Sequence, residues 1–284
     1  MTVDKIIIKT ITERDIPFCM ELKNAAGWNQ LEQDWKRLIE LSPLGCFTAQ
    51  LHDGTIVGTA TTVSFEDKFG WIGMVLVDPN QRKMGIGTAL MNACIEYLKP
   101  RVKVIRLDAT PMGKPVYERL GFKDEYILAR YKGTGSSFPA TTVKKISSKE
   151  LPNILAFDKP IFGADRSNWL SRVFQESPDN CFFIEESGKI QGFIMSHPGT
   201  KAWYAGPLTA NDLTSAEKLL KAVLSSLPGK EIFIDPLTNN KTFTGLLQNV
   251  GFTEERILTR MFLGENLYPG TPEKVFCIAG PEAG

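Results

Sequence analysis

The sequence predicts a mixed α+β fold that occurs twice in tandem along one chain, and three observations support this prediction. The chain has 284 residues, of which 43% are hydrophobic and 23% are charged, so it is globular and longer than one domain usually is. The second half repeats the pattern of the first at a shift of about 135 residues. Within each half, short apolar strands joined by hairpin turns precede a strand, a helix and another strand. This order indicates a mostly antiparallel twisted sheet flanked by helices.

The repeat is visible in matched segments that keep their order along the chain. Residues 8–17 align with 143–152 as a strand, a polar helix cap and the start of a helix. Gly121-Phe122, near the end of the first half, aligns with Gly251-Phe252. This conserved order indicates the duplication of one domain. We therefore predict an N-terminal domain over 1–132, a glycine- and serine-rich linker over 133–141 and a C-terminal domain over 142–284.

The elements of the first half are predicted from the spacing of apolar residues. In the best example, Ile86, Leu90 and Cys94 recur at helical spacing, which places them on one face of a helix that packs on the sheet. The predicted elements are a strand over 3–10, helices over 14–24 and 31–41, strands over 45–51, 55–64 and 70–77, a helix over 84–98, a strand over 103–109, a helix over 113–120 and a strand over 123–131.

The charge and the cysteine content argue against several kinds of partner. The 33 basic and 32 acidic side chains give a formal net charge of +1, so no long-range field attracts nucleic acid or an anionic membrane. The five cysteines are widely spaced and form no C-x-x-C pattern, so neither a disulfide framework nor a metal site is indicated. The apolar run at 6–8 is too short for a signal peptide or a membrane span. We expect a cytoplasmic protein that is a monomer or a homodimer.

The most informative segment is an apolar strand over 71–77 that runs through a turn into a helix. Gly85 and Gly87 let a ligand approach the backbone, where free N–H groups and the positive end of the helix dipole attract an anion. Arg82 and Lys83 add two local positive charges. The segment therefore predicts a cradle for a pyrophosphate.

Other interpretations of this loop are weaker or remain open. A dinucleotide-binding loop would carry a third glycine where Leu90 stands, and it would not follow antiparallel hairpins, although Asp108 fits the position of its ribose-binding carboxylate. A nucleotide-triphosphatase loop would continue with Gly-Lys-Ser or Gly-Lys-Thr, which is missing here. A helix start that binds no ligand remains open.

Two motifs in the first half resemble a known family. The segment 82–87, after a strand that ends in Val77-Asp78-Pro79, resembles the Gln/Arg-x-x-Gly-x-Gly/Ala signature of the GCN5-related N-acetyltransferases. The segment 116–122 resembles that family's later Tyr-x-x-Leu-Gly-Phe helix end. The two motifs occur in the family's order, and the resemblance covers essentially the whole first half. It implies transfer of an acetyl group from acetyl-CoA to a primary amine by direct attack.

The resemblance also implies roles for individual residues. Tyr117 would protonate the departing CoA thiolate, because a phenol remains protonated at neutral pH; the alternative is that it only packs its helix on the sheet. Thr110 stands where the family often has an asparagine that contacts the cofactor arm. The resemblance assigns the pantetheine arm to Val75, Leu76 and Val77, and the pyrophosphate to Arg82, Lys83, Met84, Gly85, Ile86, Gly87 and Thr88.

The general base is not identified by the resemblance. Many members carry a glutamate in the strand before the loop, whereas 71–77 contains no carboxylate. Three possibilities remain open: Asp78 through a water molecule, Glu66 through a water molecule, or no dedicated base with an amine that arrives partly deprotonated.

The second half lacks the residues that this chemistry needs. When 201–207 is aligned with 74–79, neither the glycine pair nor the two cations follow, and Leu247 takes the place of Tyr117. In Phe162-Gly163-Ala164-Asp165-Arg166 and in the closing Ile278-Ala279-Gly280-Pro281-Glu282, this half resembles the degenerate C-terminal domain of some tandem members. We expect it to bind CoA poorly or not at all.

The expected role of the second half is to form a wall of the acceptor pocket. Asp165 would pair with a cationic amine, and Trp28 or Trp203 would supply an apolar or cation–π surface. The alternatives are that Asp165 caps a helix and forms an ion pair with Arg166, and that the two tryptophans belong to the core.

Three functions remain open at this point. The first is acetyl transfer to the primary amine of a small molecule, the second is acetyl transfer to a protein or peptide, and the third is binding of acyl-CoA without turnover. A deep cleft favours the first function and an open groove favours the second. The absence of a carboxylate from the strand favours the third function, and the presence of Tyr117 argues against it.

Overall fold

A computed structural model describes residues 6–139 and 142–284, which form two compact units. Both units combine helices with a mostly antiparallel sheet, which confirms the predicted fold class. In the described part of the chain, no helix is long and apolar enough to cross a membrane. Unit 1 contains the chain up to Asp124 together with Met261–Leu267 and Pro281–Ala283, and unit 2 contains Glu125–Arg260, Tyr268–Gly280 and Gly284.

Unit 1 follows the predicted order of elements. Most predicted bounds agree with the structure to about two residues, and positions 3–5 of the first predicted strand lie outside the described residues. The elements are β1 (Ile7–Thr10), α1 (Ile16–Ala25), α2 (Glu32–Leu41), β2 (Phe47–Gln50), β3 (Ile56–Phe65), β4 (Phe69–Val77), α3 (Ile86–Leu98), β5 (Val104–Ala109) and α4 (Lys114–Arg119).

The sheet of unit 1 has the strand order β1-β2-β3-β4-β5. The first four strands pair antiparallel, and β5 pairs parallel with β4. Helix α3 packs on the sheet as its periodicity predicts, because Leu90 and Cys94 are fully buried in one cluster with Val57 and Ile72 of the strands. This packing fixes the end of β4 relative to the start of α3.

Unit 2 repeats this arrangement. Its sheet has the order β7-β8-β9-β10-β11-β6, and β13 pairs with β10. Its elements, including two strands that begin or end in unit 1, are β6 (Lys123–Thr134), β7 (Lys144–Lys145), α5 (Leu151–Phe162), α6 (Ser167–Glu176), β8 (Phe182–Glu186), β9 (Lys189–His197), β10 (Trp203–Ala210), α7 (Leu213–Ser226), β11 (Glu231–Ile234), α8 (Lys241–Asn249), β12 (Thr253–Leu263) and β13 (Val275–Cys277).

Equivalent backbone hydrogen bonds support the repeat. The N–H of Ile11 donates to Cys46 at 2.8 Å, and the N–H of Ile146 donates to Cys181 at 2.9 Å. The helix ends near Gly121 and Gly251 also match, since these glycines have φ values of 92° and 90°. In both places the chain therefore leaves a helix through the left-handed conformation that glycine adopts without strain.

The last strand of each repeat contributes residues to the unit that is built mainly from the other repeat. Strand β6 pairs with β11 of unit 2, from Tyr131↔Ile234 to Thr134↔Glu231. Met261, at the end of β12, is fully buried in the core of unit 1. The units are therefore not simply the two halves of the sequence, and the predicted domain bounds stay a prediction.

The predicted linker is shorter than expected at its start. Gly133 and Thr134, which we predicted as linker because of their glycine-rich context, are the last residues of β6. Their backbone is held there by pairing with β11. Residues 140 and 141 of the predicted linker lie outside the described residues.

Candidate functional site

The loop between β4 and α3, residues 78–85, has the backbone form of an open helix start. Asp78 accepts a hydrogen bond from the N–H of Asn80 at 2.8 Å, which shapes the first turn of the loop. Lys83 and Gly85 have φ values of 64° and 79°. Gly85 occupies the N-cap of α3 and has no side chain with which to cap the helix. The first-turn N–H groups of α3 are thus suited to an external anion.

Gly87 is not required by the fold of unit 1. A Cβ added at this position would meet only the Cγ2 atom of Val77, at an ordinary contact distance of 3.7 Å. Its backbone does not adopt the left-handed conformation either. The bare backbone at Gly87 therefore leaves a space that a ligand can fill, as the cradle interpretation requires.

The charged residues of the loop lie at the surface. Arg82 and Lys83 are exposed. The Nε of Arg82 donates to the carbonyl of Val77 at 3.4 Å. Both cations are free to approach an anion held at the start of α3, since exposed side chains reorient at little cost.

Strand β4 is distorted where the pantetheine arm is expected. Its register with β3 changes between Thr59↔Leu76 and Thr61↔Gly73, and Met74 has a φ of 50°. The hydroxyl of Thr59 donates to the carbonyl of Met74 at 2.9 Å and holds this bulge in place. Such strained backbone positions cluster at functional sites.

On the edge of β4 that pairs with β5, the pairing ends before the bulge. Its described pairs with β5 end at Trp71↔Arg106. Val75, Leu76 and Val77 lie beyond that last pair, so their backbone groups on this edge can serve a ligand. The sequence carries one signal for this bulge, the glycine at 73 directly before Met74, because a glycine inside a strand often marks a bulge.

Tyr117 lies on α4 with its side chain 9% exposed. Its ring contacts Phe122 with a distance of 6.2 Å between the ring centroids. Burial, with a smaller contribution from Cys94, raises the pKa of the Tyr117 phenol well above its ordinary value. The phenol is therefore protonated at neutral pH, as a general acid must be. Its catalytic role stays a prediction.

Thr110 has a structural partner. Its hydroxyl accepts a hydrogen bond from the N–H of Gly113 at 3.2 Å, in the turn before α4. This contact positions the helix that carries Tyr117. The contact of Thr110 with a cofactor stays a prediction.

Neither carboxylate proposed from the sequence is well placed as a base. Glu66 lies in the exposed turn before β4 and pairs with Lys68 at 2.9 Å. Six residues of extended strand separate Phe69 from Val75, a distance of about 20 Å, so Glu66 is too remote to act beside Val75. Asp78 is closer, but its carboxylate already accepts from the loop backbone.

The structure brings a different carboxylate to β4. Glu282 is only 4% exposed, and its backbone lies against Gly73: a Cβ added to Gly73 would come within 2.7 Å of the Glu282 Cα. The indole N–H of Trp71 donates to the carbonyl of Pro281 at 3.1 Å, which anchors this segment. Trp71 and Pro281 are 210 residues apart in sequence. Sequence reasoning therefore gave Glu282 no catalytic role, and the available signals were the glycine at position 73 and the segment 278–282 that carries part of the family resemblance.

The Glu282 carboxyl lies in a polar but poorly solvated environment. The Nε2 of Gln30 donates to its Oε2 at 3.1 Å. Asp34 and Arg37 of α2 lie nearby and are bonded to each other, with 2.8 Å between the Arg37 Nη2 and the Asp34 Oδ1. Burial, and to a smaller extent the Asp34 charge, raises the pKa of Glu282 to about 7, against a lowering effect of Arg37.

The residues predicted for the acceptor pocket are divided between the units. Trp28 is half-buried in unit 1, and Trp203 is half-buried against the core of unit 2. In unit 2, Asp165 accepts from the N–H of Ser167 at 2.8 Å and pairs with Lys159 at 3.3 Å. Arg166, the alternative ion-pair partner of Asp165, instead forms a buried pair with Asp158 at 2.7 Å. The substrate roles of these three residues stay predictions.

Comparison with known proteins agrees with this geometry. The Acetyltransferase (GNAT) family matches residues 12–122, and the Acetyltransferase (GNAT) domain matches residues 154–277. The Bacillus subtilis (strain 168) protein named Uncharacterized N-acetyltransferase YitH is 26% identical over 260 residues, which is 89% of each chain.

Two solved structures show the same fold. A crystal structure from Pyrococcus horikoshii superposes with a TM-score of 0.85 at 24% identity and covers 100% of this chain and 98% of its own. The GCN5-related N-acetyltransferase from Sphaerobacter thermophilus superposes with a TM-score of 0.71 at 17% identity, over 94% of this chain and 99% of its own.

The chain therefore belongs to the GNAT family of N-acetyltransferases, as a tandem member with one copy of the domain in each half. This finding confirms the resemblance noted in the motifs at 82–87 and 116–122. It also confirms that the protein is an acyltransferase.

Proposed function

We propose that unit 1 binds acetyl-CoA and transfers its acetyl group to the primary amine of a small molecule. The observation that carries this proposal is the open backbone at Gly87, beside an α3 N-terminus without a side-chain cap. Oriented N–H groups at a helix start form a site for phosphate groups. Arg82 and Lys83 supply the positive charge that the chain as a whole lacks.

The proposed chemistry uses the edge of β4 and the side chain of Tyr117. Bound acetyl-CoA would supply the thioester that is attacked. Backbone groups of Val75, Leu76 and Val77 would hold the pantetheine arm, and an N–H group there would stabilise the negative charge that develops on the acyl oxygen. Tyr117 would give its proton to the departing sulfur.

We propose that the molecule that receives the acetyl group is an amine, because hydrogen-bond acceptor atoms are concentrated beside β4. The Oε1 of Gln30 is buried and has no hydrogen-bond partner among the described residues. The carboxyl group of Glu282 lies next to it. These two groups suit an N–H donor with a positive charge. We further propose that the protein has no nucleic-acid or membrane partner, which the net charge of +1 supports, and that it is a cytoplasmic monomer or homodimer.

The first test is calorimetric titration with acetyl-CoA. We expect one molecule to bind per chain, and we expect Gly87→Asp to weaken binding about 100-fold or more, because a carboxylate would face the phosphates. Gly245→Asp in α8 is the matched control, since a Cβ there also meets open space, and it should bind like wild type. Wild-type protein that binds no acetyl-CoA would refute the proposal.

The second test is thiol release with a panel of acceptors. Ethylamine, ethanolamine, spermidine and free lysine represent small amines, and a lysine-containing peptide represents proteins. Turnover with a small amine is expected. Turnover with the peptide alone would show that the small-molecule assignment is wrong, and tight binding without any turnover would favour an acyl-CoA sensor.

A further inference from the structure

The backbone of Glu282 packs directly against Gly73, where a larger residue would not fit. The Pro281-Glu282 backbone passes so close to β4 that a Cβ on Gly73 would lie 2.7 Å from the Glu282 Cα and 2.9 Å from its carbonyl oxygen. Both contacts are closer than van der Waals distance, so only glycine fits at position 73. The hydrogen bond from Trp71 to Pro281 holds the segment in this position. A carboxylate thus reaches a strand that has none of its own.

The surroundings of the Glu282 carboxyl suit proton exchange near neutral pH. Gln30 donates one hydrogen bond to it. The facing charged groups are Asp34 and Arg37 of α2, which are bonded to each other, and β4 contributes no charged side chain between 69 and 77. The group consequently has a pKa of about 7, set mainly by burial. A base is most effective when its pKa lies near the working pH.

The bulge of β4 places this carboxylate next to the predicted thioester site. Gly73 is adjacent in sequence to Met74, where the strand is distorted, and it precedes Val75 by two residues. Glu282 therefore lies beside the segment where the acyl group is expected. The unpartnered Oε1 of Gln30 gives the same place a second acceptor for an N–H group.

We propose that Glu282, delivered by the segment 281–283 to the glycine of β4, is the general base that takes a proton from the acceptor ammonium group. This inference rests on the proposed use of acetyl-CoA by unit 1. It gives a catalytic residue to a site whose own strand contains no carboxylate.

The proton balance of the reaction is complete with these residues. Glu282 takes one proton from the ammonium group, and the neutral amine nitrogen then forms a bond to the acyl carbon. When the intermediate collapses, the carbon–sulfur bond breaks and the sulfur receives a proton from Tyr117. The nitrogen loses its second proton, which restores the Tyr117 phenol, and Glu282 releases the first proton to solvent. The products are an amide, a free thiol and one proton.

The decisive experiment compares Glu282→Gln with wild type in binding and in rate. Calorimetry should show an acetyl-CoA Kd that is unchanged within about twofold, because Glu282 is not part of the phosphate cradle. With ethylamine, kcat/KM at pH 7 should fall by about 10²- to 10⁴-fold. Glu265→Gln is the matched control, since Glu265 is an exposed glutamate of the same unit, and it should leave both quantities unchanged.

Two further measurements, the pH profile of kcat/KM and the rate with a weakly basic amine, decide whether Glu282 acts as a base or is only structural. With ethylamine, wild-type kcat/KM should rise with pH to a plateau above about 7, where Glu282 is ionised, whereas kcat/KM of Glu282→Gln should keep rising with the fraction of free amine and show no plateau there. The defect of the variant should shrink to about tenfold or less with 2,2,2-trifluoroethylamine, which arrives without the extra proton. Glu282→Asp, which keeps the carboxylate, should retain part of the rate.

The outcomes that overturn the inference differ from those that overturn the proposed function. If Glu282→Gln binds acetyl-CoA and keeps the wild-type rate and pH profile, the carboxylate is structural and the inference is wrong. If its defect is equal for both amines, Glu282 does not act as a base. If wild type itself fails to bind acetyl-CoA, the proposed function fails first, whatever the variant does.

Discussion

The two copies of the domain differ at the start of the helix that follows the central strand. In unit 1, eight residues, 78–85, join β4 to α3, and the N-cap is Gly85. In unit 2, only Asn211 and Asp212 join β10 to α7. The side chain of Asp212 accepts from the N–H of Ser215 at 2.8 Å and from its hydroxyl at 3.1 Å. The first-turn N–H groups of α3 are thus available to an external anion, whereas α7 is capped by the carboxylate of Asp212.

The edges of the central strands β4 and β10 also differ, since the edge is open in unit 1 and paired in unit 2. The described pairs of β4 with β5 end at Trp71. The corresponding strand β10 pairs with β11 at Trp203 and Tyr204 and then pairs with β13, at Leu208↔Cys277. Strand β13 therefore occupies in unit 2 the edge that a pantetheine arm would use in unit 1.

This comparison corrects one alignment made from the sequence. The sequence pattern aligns 201–207 with 74–79 and matches Pro207 with Pro79. The structure places Pro207 inside β10, and the last residue of that strand is Ala210, as Val77 is the last of β4. The conclusion that unit 2 lacks the glycine pair and the cations is unaffected, because Asn211-Asp212 leads directly into α7. A copy of the domain loses its ligand site when its own atoms satisfy the groups that the ligand would satisfy.

The largest effect is expected at Tyr117, the proposed general acid, which the second copy replaces with Leu247. Tyr117→Phe should lower kcat/KM by about 10²- to 10⁴-fold, because the departing sulfur loses its proton donor. Acetyl-CoA affinity, measured by calorimetry, should change little. Tyr131→Phe removes another buried phenol, in unit 2, and should leave the rate unchanged. An unaltered rate in Tyr117→Phe would mean that the tyrosine only packs α4 on the sheet.

The second prediction concerns the buried ion pair of unit 2. Arg130 and Asp235 are 4% and 0% exposed and lie 2.7 Å apart. Arg130→Met should cost about 3–5 kcal/mol in the free energy of unfolding, because it leaves Asp235 buried without this partner. Urea denaturation measures the loss.

The matched control lies two residues along the same strand. Lys132 pairs with Glu231 at 2.7 Å, but both side chains are largely exposed, so Lys132→Met should cost less than about 1 kcal/mol. Equal losses in the two variants would contradict the burial argument. Adding Asp235→Leu to Arg130→Met should recover most of the stability.

The third prediction is a pH dependence of stability at Glu282. The folded-state pKa of about 7 lies above the ordinary value of 4.5, so the folded protein holds this proton more tightly than the unfolded chain does. The contribution of Glu282 to the free energy of unfolding is complete below pH 4.5 and is lost as the pH rises to about 7. Relative to Glu282→Gln, wild type should lose roughly 3 kcal/mol over this window and stay constant above it.

Urea denaturation of both proteins at several pH values tests this third prediction. Glu265→Gln, at an exposed glutamate of the same unit, is the control and keeps Glu282, so it should retain the pH dependence of wild type. A difference between wild type and Glu282→Gln that does not vary with pH would show that Glu282 titrates normally.

The smallest expected effect is on the free energy of unfolding, at the two helical glycines Gly87 and Gly245. Gly87→Ala and Gly245→Ala should each stabilise the protein by about 0.5–1 kcal/mol, because alanine favours a helix and neither new Cβ meets an obstacle. Only Gly87→Ala should weaken acetyl-CoA binding. If both variants bind like wild type, the backbone at Gly87 is not in contact with the cofactor.

Much of this protein could be predicted from its sequence because the relevant signals are local. Helical periodicity predicted α3, and the hairpin turns predicted the order of strands in unit 1. The glycines at 85 and 87 mark the proposed cradle because their chemistry depends on the backbone of a few consecutive residues. The family resemblance and the lack of a cradle in the second half followed from the same short segments.

The features that required the tertiary structure involve residues that are distant in sequence. The placement of β6 in unit 2, the pairing of β13 with β10 and the contact of Glu282 with Gly73 depend on which segments pack together after the chain has folded. A local pattern carries no record of such contacts, because packing selects among many possible partners for each strand edge. The sequence by itself therefore determined the fold of each copy and the position of the proposed cofactor loop, whereas only the tertiary structure decided which strand edge stays open and which carboxylate reaches it.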